Sequence, residues 1–224
     1  MVNFVIKAAL IVGSGGLIFG YDIGVISTTI STMKNEIPMD ALEEGLVVSI
    51  IGAGSIMGAV IGGPLCDWWG RWKTLQLQNF IFILGAIITA SAYTLNTLLL
   101  GRFIVGSAAA LSAIADVPYL SEIAPKEQRG MMTALYEINV SVGVLLAFFI
   151  GFLLSYSRDG WRTAYILPAF FAAIQSLLLM YLPDSPKWLH QKGKLKELRE
   201  ALEMIYGEEE FQQFLDQYVI TLCD

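Results

Sequence analysis

Six long apolar runs constrain this chain more than any other feature of its sequence. They cover about residues 4–31, 43–63, 74–94, 98–120, 132–156 and 162–182. A helix that crosses the hydrocarbon core of a bilayer needs roughly 20 mostly apolar residues, and each run supplies about that length. The sequence therefore predicts an all-α membrane protein with six transmembrane helices, followed over residues 183–224 by a short amphipathic helical tail with Leu195, Leu198, Leu202 and Ile205 on one stripe.

The composition agrees with a membrane protein and argues against several other classes. Of the 224 residues, 55% are hydrophobic and only 15% are charged, whereas about 25% are charged in soluble domains. No basic stripe with interleaved aromatic residues is present, so nucleic acid is not an expected partner. Cys66 and Cys223 fit neither a disulfide framework nor a metal site. His190 is the lone histidine and has no neighbouring nucleophile, so we expect no enzyme, no catalytic residue, no metal and no cofactor.

The basic residues between the runs predict an orientation. Basic residues in short loops favour the cytoplasmic side. The second-to-third and fourth-to-fifth connections carry Arg71, Lys73, Lys126 and Arg129, which places these loops, the N-terminus and the tail in the cytoplasm. Three basic residues on the other side weaken this bias: Lys34, Arg158 and Arg162. A plasma membrane and an internal membrane fit the sequence equally well.

Two ionisable residues inside the runs are expected to meet. Asp22 comes about 18 residues into the first helix, roughly 27 Å from its start, and Arg102 lies near the outer end of the fourth helix. Alternating topology places both in the outer half of the bilayer. Two interpretations are open: a static buried pair that holds two helices together, or an acid that binds and releases a proton during a conformational cycle.

Asp116 and Glu137 form a second set, in the inner half, with no basic residue within a helix to pair with them. Either one of the two carboxyls is protonated, or both face water. Alternatively, Asp116 lies near the cytoplasmic mouth and is solvated.

Glycines recur every fourth residue in the first two runs. Gly20 and Gly24 lie in the first run, and Gly54, Gly58 and Gly62 lie in the second. This spacing lets helix backbones approach closely. The glycines indicate either packing within the bundle or an interface along which helices slide.

Five motifs in order resemble a known family. They are GGLIFGYDIGVIS at 15–27, GGPLCDWWGRWKT at 62–74, GRFIVG at 101–106, VPYLSEIAPKEQRG at 117–130 and PDSPKWL at 183–189. Together they resemble the N-terminal half of a sugar porter of the major facilitator superfamily. The resemblance implies one six-helix half, built as a 3+3 inverted repeat, of a fold whose two halves rock around a central site.

The resemblance also implies roles for individual residues. Asp22 and Arg102 match the proton-coupling pair of proton-driven members. The positions that approach the sugar are Phe19, Glu137 and Val144. The positions that match the cytoplasmic latch are Asp67, Gly70, Arg71, Lys73, Glu122 and Arg129. The implied function is transport of a sugar or polyol by alternating access, coupled to protons, with this chain supplying one half.

Three residues depart from the family pattern. Glu137 occupies a position where the family usually has glutamine, and a carboxylate lacks the hydrogen-bond donor of an amide. Asp116 is not expected in that helix, and Trp72 replaces a common basic residue in the latch. Another polyol, inositol or a cationic solute therefore fits about as well as a hexose.

The length of the chain is the largest departure. A complete porter has about twelve spans in two six-helix halves, so this chain is expected to be a fragment, a truncated product, or a half that pairs with a second six-helix half or another copy. Alone, it would leave Asp22, Arg102 and Glu137 partly unpaired against lipid. The alternative function is a non-transporting membrane protein that binds a full-length porter and regulates it.

Overall fold

The computed structural model describes residues 2–125, 128–157 and 159–207, and the elements in this part of the chain are helices. They are α1 (Val2–Glu36), α2 (Ala41–Trp69), α3 (Arg71–Ala90), α4 (Leu95–Ile123), α5 (Arg129–Leu154), α6 (Gly160–Leu179), α7 (Pro186–Gln191) and α8 (Leu195–Tyr206). The first six are long and apolar enough to cross a membrane. The predicted all-α class with six membrane spans is confirmed.

The connection between α2 and α3 is much shorter than the sequence suggested. The second and third apolar runs left residues 64–73 as the predicted connection, but α2 continues to Trp69 and α3 begins at Arg71. Only Gly70 lies between them, with a φ of 98°. Glycine adopts this backbone conformation without the steric cost that a Cβ imposes, so the chain reverses within a single residue.

The helices pack as two similar triplets. α1 packs mainly on α5, and α4 packs mainly on α2. If α1, α2 and α3 are matched in order to α4, α5 and α6, the contact of α1 with α5 corresponds to the contact of α4 with α2. α3 also packs on α6, and α1 on α4. This pattern is that of the 3+3 inverted repeat.

Glycines form the two main helix contacts. A Cβ at Gly20 of α1 would overlap the carbonyl of Val140, and one at Gly143 would overlap that of Leu17. In the other triplet contact, a Cβ at Gly58 would overlap the carbonyl of Ser107. The absent side chains let the backbones touch, so these glycines pack helices inside the bundle.

The interior has an apolar cluster at each end and one between them. We call the end that carries α7, α8 and the α2–α3 turn the α7 end. There Val5, Leu75 and Ile205 belong to one cluster, while the cluster at the opposite end includes Met33 and Trp161. Ile18, Phe82, Val105 and Ala169 lie in the cluster between them.

The described part of the tail packs against the bundle. Ile205 is buried with α1 residues at the α7 end, and Ala201 is buried with Trp188 and Leu189. Leu198 and Leu202 are partly buried, but Leu195 is 69% exposed. The predicted stripe is therefore wrong at Leu195, because the packed face of α8 passes through Ala201 instead. The tail beyond residue 207 lies outside the described residues.

Candidate functional site

Asp22 and Arg102 meet inside the bundle. Asp22 is on α1 and Arg102 is on α4, and the Nη1 atom of Arg102 donates a hydrogen bond to Asp22 Oδ1 at 3.2 Å. Asp22 is 2% exposed and Arg102 is 0% exposed. The helix-rise estimate thus placed both residues at the same level, and the helices bring them into contact.

The described residues around the pair stabilise the charge of Arg102 but leave some of its hydrogen-bond donors without acceptors. Arg102 Cζ lies 5.3 Å from the centroid of the Tyr165 ring on α6, so the ring face stabilises the guanidinium charge. Among the described residues, Nε and Nη2 of Arg102 have no hydrogen-bond partner. A buried guanidinium with two unused donors depends strongly on Asp22, since an uncompensated interior charge is costly.

The expectation that Asp22, Arg102 and Glu137 would lie partly unpaired against lipid is wrong for the first two. α1 and α4 are the inner helices of the half-bundle, so their charges face each other and are covered by α6. Glu137, by contrast, is exposed on α5. Only this third residue needs a partner or water outside the six helices.

Glu137 is part of a polar row on an otherwise apolar helix face. Thr133, Glu137 and Ser141 recur every fourth residue of α5, and all three are exposed. The two hydroxyls donate to backbone carbonyls within the helix, from Thr133 to Arg129 and from Ser141 to Glu137. The Glu137 carboxylate is therefore the strongest acceptor that this row presents outward.

The other two predicted sugar contacts lie elsewhere on the helices. Val144 is half-buried, and its backbone lies against Gly24 of α1. Phe19 is also half-buried and lines a small cavity among α1, α3, α4 and α6.

Asp116 is not solvated near a mouth of the bundle, so that interpretation of the sequence is wrong. It is 0% exposed. Its carboxylate accepts hydrogen bonds from Ser112 Oγ and, at 3.3 Å, from Gln78 Nε2. The burial follows from the lack of a side chain at Gly15 of α1, where a Cβ would overlap Asp116 Oδ2.

Arg71 and Glu122 form the centre of a charged cluster at the α7 end. Arg71 Nε lies 3.1 Å from Glu122 Oε2, and its Nη2 donates to Oε1 at 3.3 Å. Arg71 Nη1 also donates to the Cys66 carbonyl at 3.1 Å and reaches Asp67 Oδ1 at 3.4 Å. This fork joins the α2–α3 turn to the end of α4.

Two predicted members of the latch do not join the cluster. Lys73 is exposed beside Trp69 and Trp72. Arg129 is exposed, and its Nε donates to the Ala124 carbonyl at 3.5 Å, so it contacts the end of α4 and not Glu122. The structure brings Asp67, Gly70, Arg71 and Glu122 together and leaves these two cations outside.

Three residues of the PDSPKWL motif complete the cluster, although no role was predicted for them individually. Ser185 Oγ donates to Glu122, and Lys187 Nζ lies 3.7 Å from Glu122 Oε1. Asp184 Oδ1 accepts from the backbone N–H of Trp72 at 3.1 Å and from its neighbour Ser185 at 2.8 Å. The motif itself was the available signal, because it places an acid, a hydroxyl and a cation together directly after the sixth span.

Asp184 lies close against the turn at Gly70. A Cβ at Gly70 would overlap Asp184 Oδ2, so the turn needs glycine for space as well as for its backbone conformation. Burial raises the pKa of the Asp184 carboxyl, while the backbone hydrogen bonds and the charge of Arg71 act in the opposite direction.

The sequence matches the family model described as "Sugar (and other) transporter" over residues 8–222. It is 38% identical over 189 residues to the D-xylose transporter of Levilactobacillus brevis, which covers 84% of this chain and 41% of that relative. It is 34% identical over 203 residues to the glucose transporter GlcP of Staphylococcus epidermidis, covering 91% and 45%. The chain thus spans less than half the length of these curated relatives, which are named as transporters and not as enzymes.

The fold is similar to solved structures of one transporter. Against the major facilitator superfamily proton:xylose symporter XylE bound to 6-bromo-6-deoxy-D-glucose, the TM-score is 0.87 at 23% identity, covering 96% of this chain and 52% of that chain. Against the inward open conformation of the xylose transporter XylE from E. coli, the TM-score is 0.82 at 23% identity, covering 97% and 56%. The six-helix half-bundle is therefore the major facilitator arrangement.

Proposed function

Because this integral, multi-pass membrane chain belongs to the sugar transporter family, we propose that it supplies the N-terminal half of a porter that moves a sugar or polyol by alternating access. The relatives named above as D-xylose and glucose transporters support a sugar or polyol as the solute. In this proposal a second six-helix half, or another copy, completes the pathway and rocks against this half.

The polar row of α5 is the observation that carries this proposal. An ionisable side chain exposed in the middle of a membrane span is costly against hydrocarbon, so it faces a water-filled path or another protein surface. Glu137 is the ninth of the 26 residues of α5, well inside the span, and lies between two exposed hydroxyl residues. We assign Phe19, Glu137 and Val144 to the sugar side of this half. The Glu137 carboxylate would accept hydrogen bonds from hydroxyls of the solute.

The Asp22–Arg102 pair supports proton coupling. When Asp22 takes up a proton, its attraction to Arg102 weakens, and the guanidinium, with two donors already unused, is left with less compensation. A change of a few kcal/mol at such a site is about what is needed to shift an inward–outward equilibrium. In this proposal, proton binding at Asp22 therefore biases the conformational cycle.

The charged cluster at the α7 end is assigned as the cytoplasmic latch, with Asp67, Gly70, Arg71 and Glu122 as its core. Lys73 and Arg129 are exposed next to it, where they can contact a second half when the porter closes on this side. The basic residues Arg71, Lys73 and Arg129 at this end support a cytoplasmic location for the N-terminus and the tail.

Uptake into proteoliposomes tests the coupling proposal. The chain, assembled with a second half, should accumulate xylose or another polyol when the lumen is alkaline. Asp22→Asn should abolish this accumulation but leave exchange of solute across the membrane, because the pathway is intact. The control is Asp40→Asn, which changes the exposed acid that caps the N-terminus of α2 and takes no part in the central pair. Accumulation that survives in Asp22→Asn contradicts the proton role.

A second outcome separates the alternative function. If the chain co-purifies with a full-length porter and changes the transport rate of that porter, yet no combination with a separate second half transports any solute, the chain is a regulator. The exposed faces of α2 and α5 would then be its binding surface. Solute uptake by the two assembled halves would instead show that the chain acts as half of a porter.

A further inference from the structure

Asp116 lies inside the bundle at a different level from Asp22. Asp116 and Arg102 are both on α4, separated by fourteen positions in the sequence, which corresponds to roughly 21 Å along a helix. The Asp116 carboxylate inserts between α1 and α6: a Cβ at Gly15 of α1 would overlap Oδ2 and would lie 3.1 Å from Gln175 Nε2 of α6. The proton-coupling pair proposed above therefore makes no use of this buried acid.

The partners of Asp116 are neutral. Ser112 of α4 and Gln78 of α3 donate to its two oxygens. Within the described residues, no lysine, arginine or histidine forms an ion pair with it, whereas Asp22 has Arg102. A fully buried carboxylate without a cation is expensive unless it is hydrogen-bonded or takes up a proton.

The titratable groups on the surrounding helices do not supply a compensating charge. The buried titratable groups in this part of the bundle include two phenols and a thiol. Tyr136 on α5 interacts electrostatically with Asp116, and Tyr119 on α4 and Cys66 on α2 belong to the apolar cluster at the α7 end. The positions around Asp116 are Gly15 on α1, Gln78 on α3 and Gln175 on α6. Along each helix, the nearest charged residues lie more than one turn away from these positions or from Asp116 itself: Lys7 and Asp22 on α1, Lys73 on α3, Glu122 on α4 and Arg162 on α6. Glu137 on α5 is exposed on another face.

A small cavity lies against the residues that bind Asp116. The space open to a water molecule is about 10 Å³, and its lining includes Gln78, Asn79, Ser112 and Gln175. The three amide side chains are each at least 97% buried, and each has one polar atom without a partner in the described part of the chain: Gln78 Oε1, Asn79 Nδ2 and Gln175 Oε1. A polar space of this size accommodates about one water with several hydrogen-bond partners.

We propose that Asp116 is a second proton-binding site of this chain, which exchanges its proton with water in the cavity lined by Gln78, Asn79, Ser112 and Gln175. In the step, the carboxylate accepts a proton at one oxygen and becomes a neutral carboxyl. No other bond changes, and release returns the proton to water. The neutral form supplies a donor where amide oxygens lack one, while the ionised form uses the donors of Ser112 and Gln78.

Infrared spectroscopy of the full 224-residue chain in lipid nanodiscs tests the proposal. The C=O stretch of protonated carboxyls is recorded over a pH series for the wild type and for Asp116→Asn, Asp22→Asn and Ser112→Ala. We expect the wild type to show a carboxyl band that disappears as the pH rises, is absent in Asp116→Asn and is retained in Asp22→Asn. In Ser112→Ala the band should persist to higher pH, because the ionised form loses a donor.

A spectrum of folded Asp116→Asn that matches the wild type at every pH would overturn the proposal. Circular dichroism and size exclusion show whether Asp116→Asn is folded. If it is not, the test rests on Ser112→Ala, and a carboxyl band that has the same pH dependence in Ser112→Ala as in the wild type overturns the proposal. The readout needs no transport and no second half. The two proposals are therefore tested independently: a negative infrared result does not contradict the transport proposal, and a negative transport result does not contradict proton binding at Asp116.

Discussion

Arg102 of α4 donates to Asp22 of α1 at 3.2 Å, and neither side chain is more than 2% exposed. The contact is the one buried ion pair among the residues the structure describes; the remaining pairs each include a side chain at least one-tenth exposed. It joins the two central helices, one from each triplet. The stability of the half-bundle and the proton coupling proposed above therefore depend on the same two side chains.

Removing one partner of this pair should destabilise the fold strongly. Asp22→Leu leaves the guanidinium buried without a counter-charge, for which we expect a loss of about 3–5 kcal/mol in the free energy of unfolding. Asp22→Leu combined with Arg102→Leu should recover most of this loss. Thermal unfolding in detergent measures both variants.

The matched control is the pair of Glu36 and Arg162 at the opposite end of the bundle from α7. Its N–O distance is 3.0 Å, but both side chains are partly exposed. Glu36→Gln should cost about 1 kcal/mol or less, because water solvates the remaining charge. Equal losses for Asp22→Leu and Glu36→Gln would show that burial does not set the strength of the central pair.

The glycines of α2 give a prediction that compares two sites on one helix. A Cβ at Gly58 meets the Ser107 carbonyl, whereas one at Gly63 meets nothing within 4 Å. Gly58→Ala should separate α2 from α4 and cost about 1–3 kcal/mol. Gly63→Ala should be neutral, or stabilising by up to about 1 kcal/mol, since alanine has the higher helix propensity. Unfolding temperatures that fall equally in both variants would argue against the close contact.

The charged cluster at the α7 end predicts a local loss of protection in one variant. Glu122→Gln removes the charge that holds Arg71, Ser185 and Lys187. Hydrogen–deuterium exchange of residues 183–191 should then become faster, because α7 is no longer fixed to α4. Asp67→Asn is the control, since the Asp67 side chain is 78% exposed and makes one 3.4 Å contact with Arg71. Exchange that changes in neither variant, or equally in both, is the contrary result.

Asp184 predicts a pH dependence of stability. Burial raises its pKa in the folded chain, so the folded state holds the Asp184 proton more tightly than the unfolded state does. The resulting stabilisation is fully present below the ordinary aspartate pKa and is lost as the pH rises through the raised value. Compared with Asp184→Asn, the wild type should lose stability as the pH increases across this window.

Melting temperatures of the wild type, Asp184→Asn and the control Asp67→Asn over a pH series measure this effect. The asparagine keeps an oxygen that can accept hydrogen bonds from the N–H groups of Trp72 and Ser185. The melting temperatures of the wild type and Asp184→Asn should therefore differ in their dependence on pH more than in their absolute values. If the two proteins show the same dependence of melting temperature on pH, the pKa of Asp184 is not raised in the folded chain, and the prediction is contradicted.

The fold was predictable because its determinants are local. Run length and hydropathy give the six spans, and the rise of a helix places Asp22 and Arg102 at the same level before any contact is known. The glycine spacing indicated close helix contacts for the same reason. These features depend on one helix, or on two helices with a fixed relative direction.

The parts that the sequence did not predict depend on rotation about the helix axes. The sequence left open whether Asp116 is solvated or buried, and in the structure it faces Gly15 and Gln175 inside the bundle. Arg129 was expected to join Glu122, yet it contacts the Ala124 carbonyl. Both outcomes depend on which face of a helix meets its neighbour, and the near-uniform apolar composition of α4 gives no periodic signal for that choice.

A split-transporter experiment tests the central claim most directly. The chain is co-expressed with the second six-helix half of the D-xylose transporter of Levilactobacillus brevis, a 38% identical relative, in bacteria without their own xylose uptake. That transporter, expressed as its own two halves, is the positive control. We predict that the chain and the second half co-purify and restore xylose uptake, which neither restores alone. Co-purification without uptake, while the control pair transports, would contradict the assignment of this chain as half of a sugar porter.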